Sequence, residues 1–476
     1  MKSQLKAWCN LHKVVVVVGL ASILGLFIGW RDRRLVLYDD VGITLRYAYR
    51  IAEGHGWTYN DSDQTNGASS PLYTMILAIC RIVGLDLVQS ARMIGVILYA
   101  GVVGLSSYIA QKIAGVTAGM VAAVLVLTSS GFRAEALSGM ETILSVFLGI
   151  LVILAIMKDR DWVAAVLLGL ALVNKLDAGL LAVVVVFAWW FLRRTFPWKQ
   201  IVIAVGLVAP WFLFSWVYFG SPLPYSMTQK ISGGNGGGLP SWNTWWMFDR
   251  LQREGSLPLV FFALISILLF PIISKSSRSY TASIMVCLTW PLLHFAAFSF
   301  VDMGDPYPWY MGNLYVPLAV AASVSIAKIC SGSRLISETF RVVGILTMIF
   351  VVSGLGFARW GGVGQVINVV RHGHTVDSYE AFELTRYQSG EWLAHNANSD
   401  EGILTCWGWV AYMAEQSPIA ETCPLSTRDA VTPTWFVNSA FIGTGEPQLD
   451  ALTGWVEVAS FRSDGGLTVV YRSESP

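Results

Sequence analysis

Tyr38–Pro71 reads YDDVGITLRYAYRIAEGHGWTYNDSDQTNGASSP. It follows Val14–Trp30, the first run long enough to cross a bilayer, and it is far too polar to lie in lipid. Two adjacent carboxylates, Asp39 and Asp40, open it. A helix is predicted over Val41–Glu53, with Ile43, Tyr47 and Ile51 on one stripe and Arg46, Arg50 and Glu53 elsewhere. Gly54 and Gly56 end that helix, and the remainder to Pro71 reads as loop. An acid pair beside a cationic amphipathic helix at a membrane surface suits chemistry on a lipid-linked anionic substrate.

The surrounding composition agrees with that setting. Of 476 residues 54% are hydrophobic and only 13% charged, against about 25% charged in a soluble protein. Thirty-two basic residues balance 31 acidic ones, and no basic run or stacking motif points to nucleic acid. The six cysteines have no metal-ligand spacing. Cys406 and Cys423 alone share the expected non-cytoplasmic domain, which leaves a disulfide between them open. Lys2, Lys6 and Lys13 precede the first apolar run as in a signal sequence, but no small-residue cleavage site follows it, so it reads as an uncleaved span.

Further apolar runs lie near 89–111, 115–130, 141–157, 162–176, 178–192, 200–218, 256–273, 280–298, 313–329 and 342–358, giving about eleven spans with the first. The run 71–85, opened by Ser70-Pro71 and interrupted by Arg81, is expected to lie on the membrane surface. With a cytoplasmic N-terminus, Lys112, then Lys158 and Arg160, then Arg193, Arg194 and Lys199 fall in successive inner loops. Lys275 and Arg278 follow, then Lys328, Arg334 and Arg341. Short outer loops carry few cations, as the positive-inside rule requires. Arg31, Arg33, Arg34, Arg46 and Arg50 break the bias in the first outer loop, either by snorkelling or as an outward-facing phosphate site. The odd number of spans leaves 359–476 outside, as a small α/β domain distinct from the membrane domain 1–358. A helix is expected there at 379–395 and strands at 402–406, 455–461 and 467–472.

This topology gathers the unusual polar residues on one side. Besides Asp39 and Asp40 they are Glu141, Lys175, Asp177, Tyr225 with Lys230, and the stretch 302–310 with Asp305, Trp309 and Tyr310. Charges at membrane depth face cavities or partners. Each also has a plainer reading: Glu141 as a helix cap, Lys175 and Asp177 as a pair across a tight turn, Asp305 as an ordinary loop carboxylate, Trp309 and Tyr310 as interface anchors.

The stretch YDDVGITLRYAYRIAEGHGWTYN, followed by TNGASSPLYTMILA, resembles the first outer loop of polyprenyl-phosphate-sugar-dependent GT-C glycosyltransferases. It is most similar to the mycobacterial terminal β-1,2-arabinofuranosyltransferase family. The resemblance continues at ALSGMETILS (136–145), YFGSPLPYSMTQK (218–230) and, weakly, YQSGEWLAHNAN (387–398). There are departures. Lys175-Leu176-Asp177 stands where that family has Arg-Pro-Asp. The stretch 302–310 is more like the Tyr-Pro-Trp-Tyr of lipid A aminoarabinose and protein mannosyl transferases. What the resemblance implies is a GT-C fold and transfer of one sugar, arabinofuranose foremost, from a polyprenyl monophosphate to a cell-envelope glycan or glycolipid hydroxyl. Transfer would occur on the outer face of a bacterial plasma membrane, with inversion.

On that reading Asp39 is the foremost candidate for the base, with Asp40 orienting it or acting as base itself. Arg46, Lys175, Lys230 and His55 are candidates for the donor phosphate; Glu141, Asp177, Tyr225, Asp305, Trp309 and Tyr310 for sugar and acceptor. A divalent metal on Asp39, Asp40 and Glu141 is open but not favoured, because basic side chains already meet a monophosphate; no other cofactor is expected. Trp407, Trp409, Tyr412 and Trp435 either contact glycan or form the core of the outer domain. Two other functional classes fit less well. A lipid-linked saccharide flippase would show related halves and mid-membrane charges, and this chain shows neither. A glycan-binding anchor leaves the first-loop acids without a task.

Overall fold

The computed structural model describes residues 2–33, 37–60, 64–232, 251, 257–268, 277–300, 308–332, 378–397, 401, 403–405, 408–413, 434–441, 455–463 and 466–473. Helices α1 (Lys2–Asp32), α2 (Asp39–Ala52), α3 (Pro71–Ile82), α4 (Leu87–Ala114) and α5 (Val116–Thr128) come first. Next are α6 (Ser130–Leu137), α7 (Thr142–Met157), α8 (Asp161–Asn174), α9 (Ala178–Arg193), α10 (Trp198–Phe219) and α11 (Tyr225–Ser232). The membrane part continues through α12 (Leu257–Leu268), α13 (Arg278–Phe300), a 3₁₀ turn at Pro308–Tyr310 and α14 (Gly312–Gly332). Every expected apolar run up to 313–329 coincides with a helix; the last, 342–358, lies outside the described residues.

Five of the described helices are long and apolar enough to cross a membrane, six if α5 and α6 count as one. The chain is a multi-pass membrane protein. The expected run 115–130 is α5, and a bend follows it: Ser129 ends α5 and caps α6, its hydroxyl accepting the Phe132 N–H at 3.3 Å, and the two helices meet at 67°. The bend carries α6 along the rim, where Glu135 and Arg133 find polar partners.

Close backbone approach at small residues builds the bundle, as lipid-embedded helices require. Gly25 of α1 lies so near α4 that a Cβ there would sit 3.1 Å from the Ala100 Cα. Gly149 of α7 lies against the buried indole of Trp290 on α13. The helix ends alternate as the loop charges predict. Lys112, ending α4, and Lys158, following α7, both lie over the Tyr108 ring, at 5.5 and 5.2 Å. Asp159 accepts the Ser279 hydroxyl at 2.8 Å, bringing the start of α13 to that same basic end. Asp40, Glu141, Lys175 and Tyr310 are at the opposite end.

At that opposite rim, α3 begins at Pro71, as the Ser70-Pro71 start predicts. It buries Tyr73, Leu77 and Ala78 and exposes Met75, Ile79 and Ile82, the two-faced pattern of a helix lying at a bilayer surface. Helix α2 departs from expectation. Arg46 and Arg50 are as buried as Val41, Leu45 and Tyr47, so the helix is enclosed rather than laid on a surface with its cations outward.

The soluble part contains α15 (Ser378–Asn396), β1 (Ile403–Leu404), α16 (Gly408–Met413), β2 (Trp435–Phe441), β3 (Trp455–Arg462) and β4 (Gly466–Ser473). The sheet runs β1-β2-β4-β3, parallel between β1 and β2 and antiparallel elsewhere. Three of these elements match the expected 379–395, 455–461 and 467–472, and β1 falls inside 402–406. The parallel β1–β2 pair and α16 were not foreseen. Trp409 and Trp435 are buried, so packing explains both indoles, and Tyr412 is half-buried beside Trp409. Trp407, Cys406 and Cys423 lie outside the described residues, as does the domain boundary near 358.

The Gly149–Trp290 contact gives a stability test. Gly149→Ala puts a methyl into the indole and should lower stability by about 1–3 kcal/mol, read as a shifted unfolding midpoint in detergent. An unchanged midpoint would mean that α7 and α13 do not meet there.

Candidate functional site

Seven segments converge on one cavity of about 340 Å³. Its polar lining comes from Asp40, Thr44, Ser69, Glu141, Lys175 and Asp177, its apolar lining chiefly from Ile43, Leu180, Met227 and Phe298, with Trp309 and Tyr310 closing one side. The α6–α7 turn delivers Glu141. Gly139 makes this turn possible by taking a φ of +82°, where an added Cβ would meet Leu37 and Val41. Tyr73 donates its hydroxyl to the Gly139 carbonyl at 2.9 Å and pins the turn.

The α8–α9 turn delivers the other two charges. Lys175 Nζ lies 2.7 Å from Glu141 Oε1, with both side chains mostly buried. Glu141 stands at the N-cap position of α7 without capping it; its side chain turns to Lys175 instead. The tight-turn pairing of Lys175 with Asp177 is therefore replaced by a bridge between turns. Burial alone would lower the Lys175 pKa, but Glu141 and then Asp177 outweigh it and hold the ammonium above the ordinary lysine range. Asp177 also declines its capping role at α9. Its Oδ2 accepts from Asn313 at 3.3 Å, while its buried Oδ1 has no hydrogen-bond partner within the described residues. Asn174 braces the turn from behind, donating to Ser145 at 2.8 Å.

Asp39 and Asp40 part company. Successive helical residues point about 100° apart, and only Asp40 reaches the cavity lining. Asp39 is buried and its Oδ1 accepts the backbone N–H of Trp409 at 3.0 Å. Arg46 does not line the cavity either. It donates to the Tyr59 carbonyl and to Asn60 Oδ1, both at 2.7 Å, and stacks over the Tyr59 ring. Arg50 donates to Thr58 at 3.1 Å. These guanidinia fold the loop after α2. His55 is exposed in that loop, away from the cavity lining. Tyr225 is 49% exposed, and its N–H donates to the Asn66 carbonyl; its neighbours Pro224 and Ser226 line the cavity. Arg31 pairs with Asp32, which Arg133 also meets at 3.0 Å. Asp305 and the Lys230 side chain lie outside the described residues. Among the described residues no group of three His, Cys, Asp or Glu side chains is arranged to hold a metal.

Sequence reasoning missed several supporting residues. His294 is wholly buried in α13, donates from Nε2 to the Tyr310 carbonyl at 2.8 Å, and stacks on Phe298. A lone histidine inside an apolar run is a signal of this kind. Asn313, Glu135 and Thr44 gave no comparable sign, because polar residues beside a span normally meet water.

No protein-family model and no curated protein matches the sequence. Solved structures do. ArnT from Cupriavidus metallidurans bound to undecaprenyl phosphate superposes with a TM-score of 0.61 at 14% identity, over 96% of this chain and 97% of that one. The same protein in its apo state gives 0.57. The oligosaccharyltransferase AglB from Archaeoglobus fulgidus, in complex with an inhibitory peptide and a dolichol-phosphate, gives 0.55 at 12% identity, over 87% of this chain and 64% of that one. At such identities the likeness concerns the fold, and it spans the membrane helices and the soluble part alike: the chain has the GT-C fold.

Proposed function

We propose that the chain is a membrane glycosyltransferase that moves one sugar from a polyprenyl-monophosphate donor to a hydroxyl of a cell-envelope glycan or glycolipid. Arabinofuranose is the sugar favoured by the first-loop resemblance. The observation that carries the reading is the convergence of Asp40, Glu141, Lys175 and Asp177 on one cavity whose remaining wall is apolar. Supporting it, ArnT and AglB of the same fold were solved with undecaprenyl phosphate and dolichol-phosphate. In a bacterium, the orientation read from the loop charges would set this rim on the outer face of the plasma membrane.

The chemistry is a single displacement. Asp40 takes the proton from the acceptor hydroxyl, whose oxygen bonds to the anomeric carbon from the face opposite the phosphate. The bond from that carbon to the phosphate oxygen breaks, and the polyprenyl phosphate leaves with the electron pair. Lys175 meets the charge that builds there; its ammonium has three donors, so the Glu141 bridge leaves others for phosphate. This needs no metal. Asp177 Oδ1 offers an acceptor to a sugar hydroxyl, and Trp309 and Tyr310 offer ring faces. On this reading Asp40 takes the role that the sequence assigned first to Asp39, while Arg46 braces the loop after α2.

Asp40→Asn should lower transfer at least about 100-fold while undecaprenyl phosphate still binds, measured by product formation and by lipid binding to the same preparation. A variant that transfers normally removes the reading, and one that still flips lipid-linked sugar without transferring favours a transporter.

A second outcome concerns pH. A lysine whose folded pKa is raised contributes stability below its unfolded value, about 10.4, and loses it only as pH rises through the higher folded value. Lys175 therefore stays charged across the working range. Lys175→Arg should reduce the rate without moving the alkaline limb of the pH–rate profile, whereas a limb that shifts upward would show Lys175 titrating there.

A further inference from the structure

Trp409 bonds the start of α2 from the C-terminal part of the chain. The backbone N–H of Trp409 donates to Asp39 Oδ1 at 3.0 Å, and its indole Nε1 donates to the Leu37 carbonyl at 3.1 Å. The residues on either side of Tyr38 are thus both bonded to Trp409. The indole is 2% exposed and belongs to the same buried cluster as Tyr38, Met140, Trp309 and Tyr310, the last three lining the cavity. Tyr387 of α15 and Tyr412 of α16 stand edge-on to it at 5.3 and 6.1 Å. Both are anchored in the soluble part, so its packing is transmitted to the residue before Asp40.

A carboxylate accepting a buried N–H is a strong, directional contact. Asp39 makes it across 370 positions of sequence. A helix that began at residue 39 without such an anchor would fray in its first turn, which is where Asp40 sits.

We infer that Asp39 is a positioning residue: through Trp409 it couples the C-terminal domain to the first turn of α2 and so fixes the direction of the Asp40 carboxylate. The soluble domain is then a working part of the active site rather than an appendage. The catalytic consequence rests on the function proposed above; the coupling itself does not.

The two are read separately in full-length protein in lipid nanodiscs. Hydrogen exchange of peptides covering 39–45 and 408–413 is measured without substrate in wild type, Asp39→Ala, Asp39→Asn and Trp409→Phe. Asn keeps an Oδ1 acceptor, Ala has none, and Phe removes only the indole donor. Exchange in both peptides should rise about tenfold in Asp39→Ala, stay near wild type in Asp39→Asn and lie between in Trp409→Phe. If 408–413 loosens while 39–45 stays protected, or neither changes, the coupling is overturned.

Transfer is then followed from farnesyl-phosphoryl arabinofuranose to octyl arabinofuranoside. Asp39→Ala should lose kcat about tenfold with KM nearly unchanged, and Asp39→Asn should recover most of it. If Asp39→Asn is as inactive as Asp40→Asn with exchange intact, Asp39 acts on substrate directly and the positioning role fails. If wild type itself does not transfer this sugar, the functional reading fails, while the exchange result still decides the coupling.

Discussion

A charged amine and a carboxylate held together at the edge of an apolar bundle organise this rim. Lys175 and Glu141 come from separate turns, each between two membrane helices, and neither charge would be tolerated there alone. Their 2.7 Å contact draws the α6–α7 turn onto the α8–α9 turn. Everything else in the cavity is placed relative to that join. Asn174 secures it from beneath, Asn313 turns Asp177 alongside it, and the Tyr310 ring lies 5.8 Å from the ammonium. Because Asp177 adds to the negative field on Lys175, the amine keeps its proton and remains available to an arriving anion.

Much of the architecture was legible because lipid imposes strict rules. A run of apolar residues of sufficient length must be helical, and the alternation of basic ends follows from insertion. The GT-C resemblance carried by the first outer loop, the helix starting at Pro71, and the glycine stop after α2 were therefore readable. So was the gathering of Glu141, Lys175, Asp177, Trp309 and Tyr310, since polar side chains at one edge of a membrane bundle have few places to go.

Periodicity tells which residues of a helix are alike, and it does not tell what surrounds the helix. The amphipathic pattern of α2 suggested a surface helix, with Arg46 among the candidates for the donor phosphate. The loop after Gly56 folds back on the helix, where Arg46 meets the Tyr59 carbonyl and Asn60 and Arg50 donates to Thr58. The bend after α5 falls at Thr128-Ser129-Ser130, polar residues that close an otherwise apolar run, with Ser129 accepting the Phe132 N–H. Beyond it Arg133 and Glu135 meet Asp32 and Tyr38 at the rim.

The adjacent acids, alike in sequence, stand in different surroundings. Two neighbouring carboxylates invite treatment as one catalytic unit, with mutual repulsion to be balanced by nearby cations. Helical geometry forbids it: side chains one residue apart diverge by about 100°, so an enclosed helix offers them different surroundings. One carboxylate faces a cavity lined by Lys175, Glu141 and Asp177; the other faces a peptide N–H of a domain hundreds of residues downstream. The second environment could not be inferred from the pair itself, because the short helix that supplies the N–H carries no periodic signal of its own. On the function proposed above, consecutive positions of one turn serve two tasks, Asp40 the chemistry and Asp39 the docking of the C-terminal part.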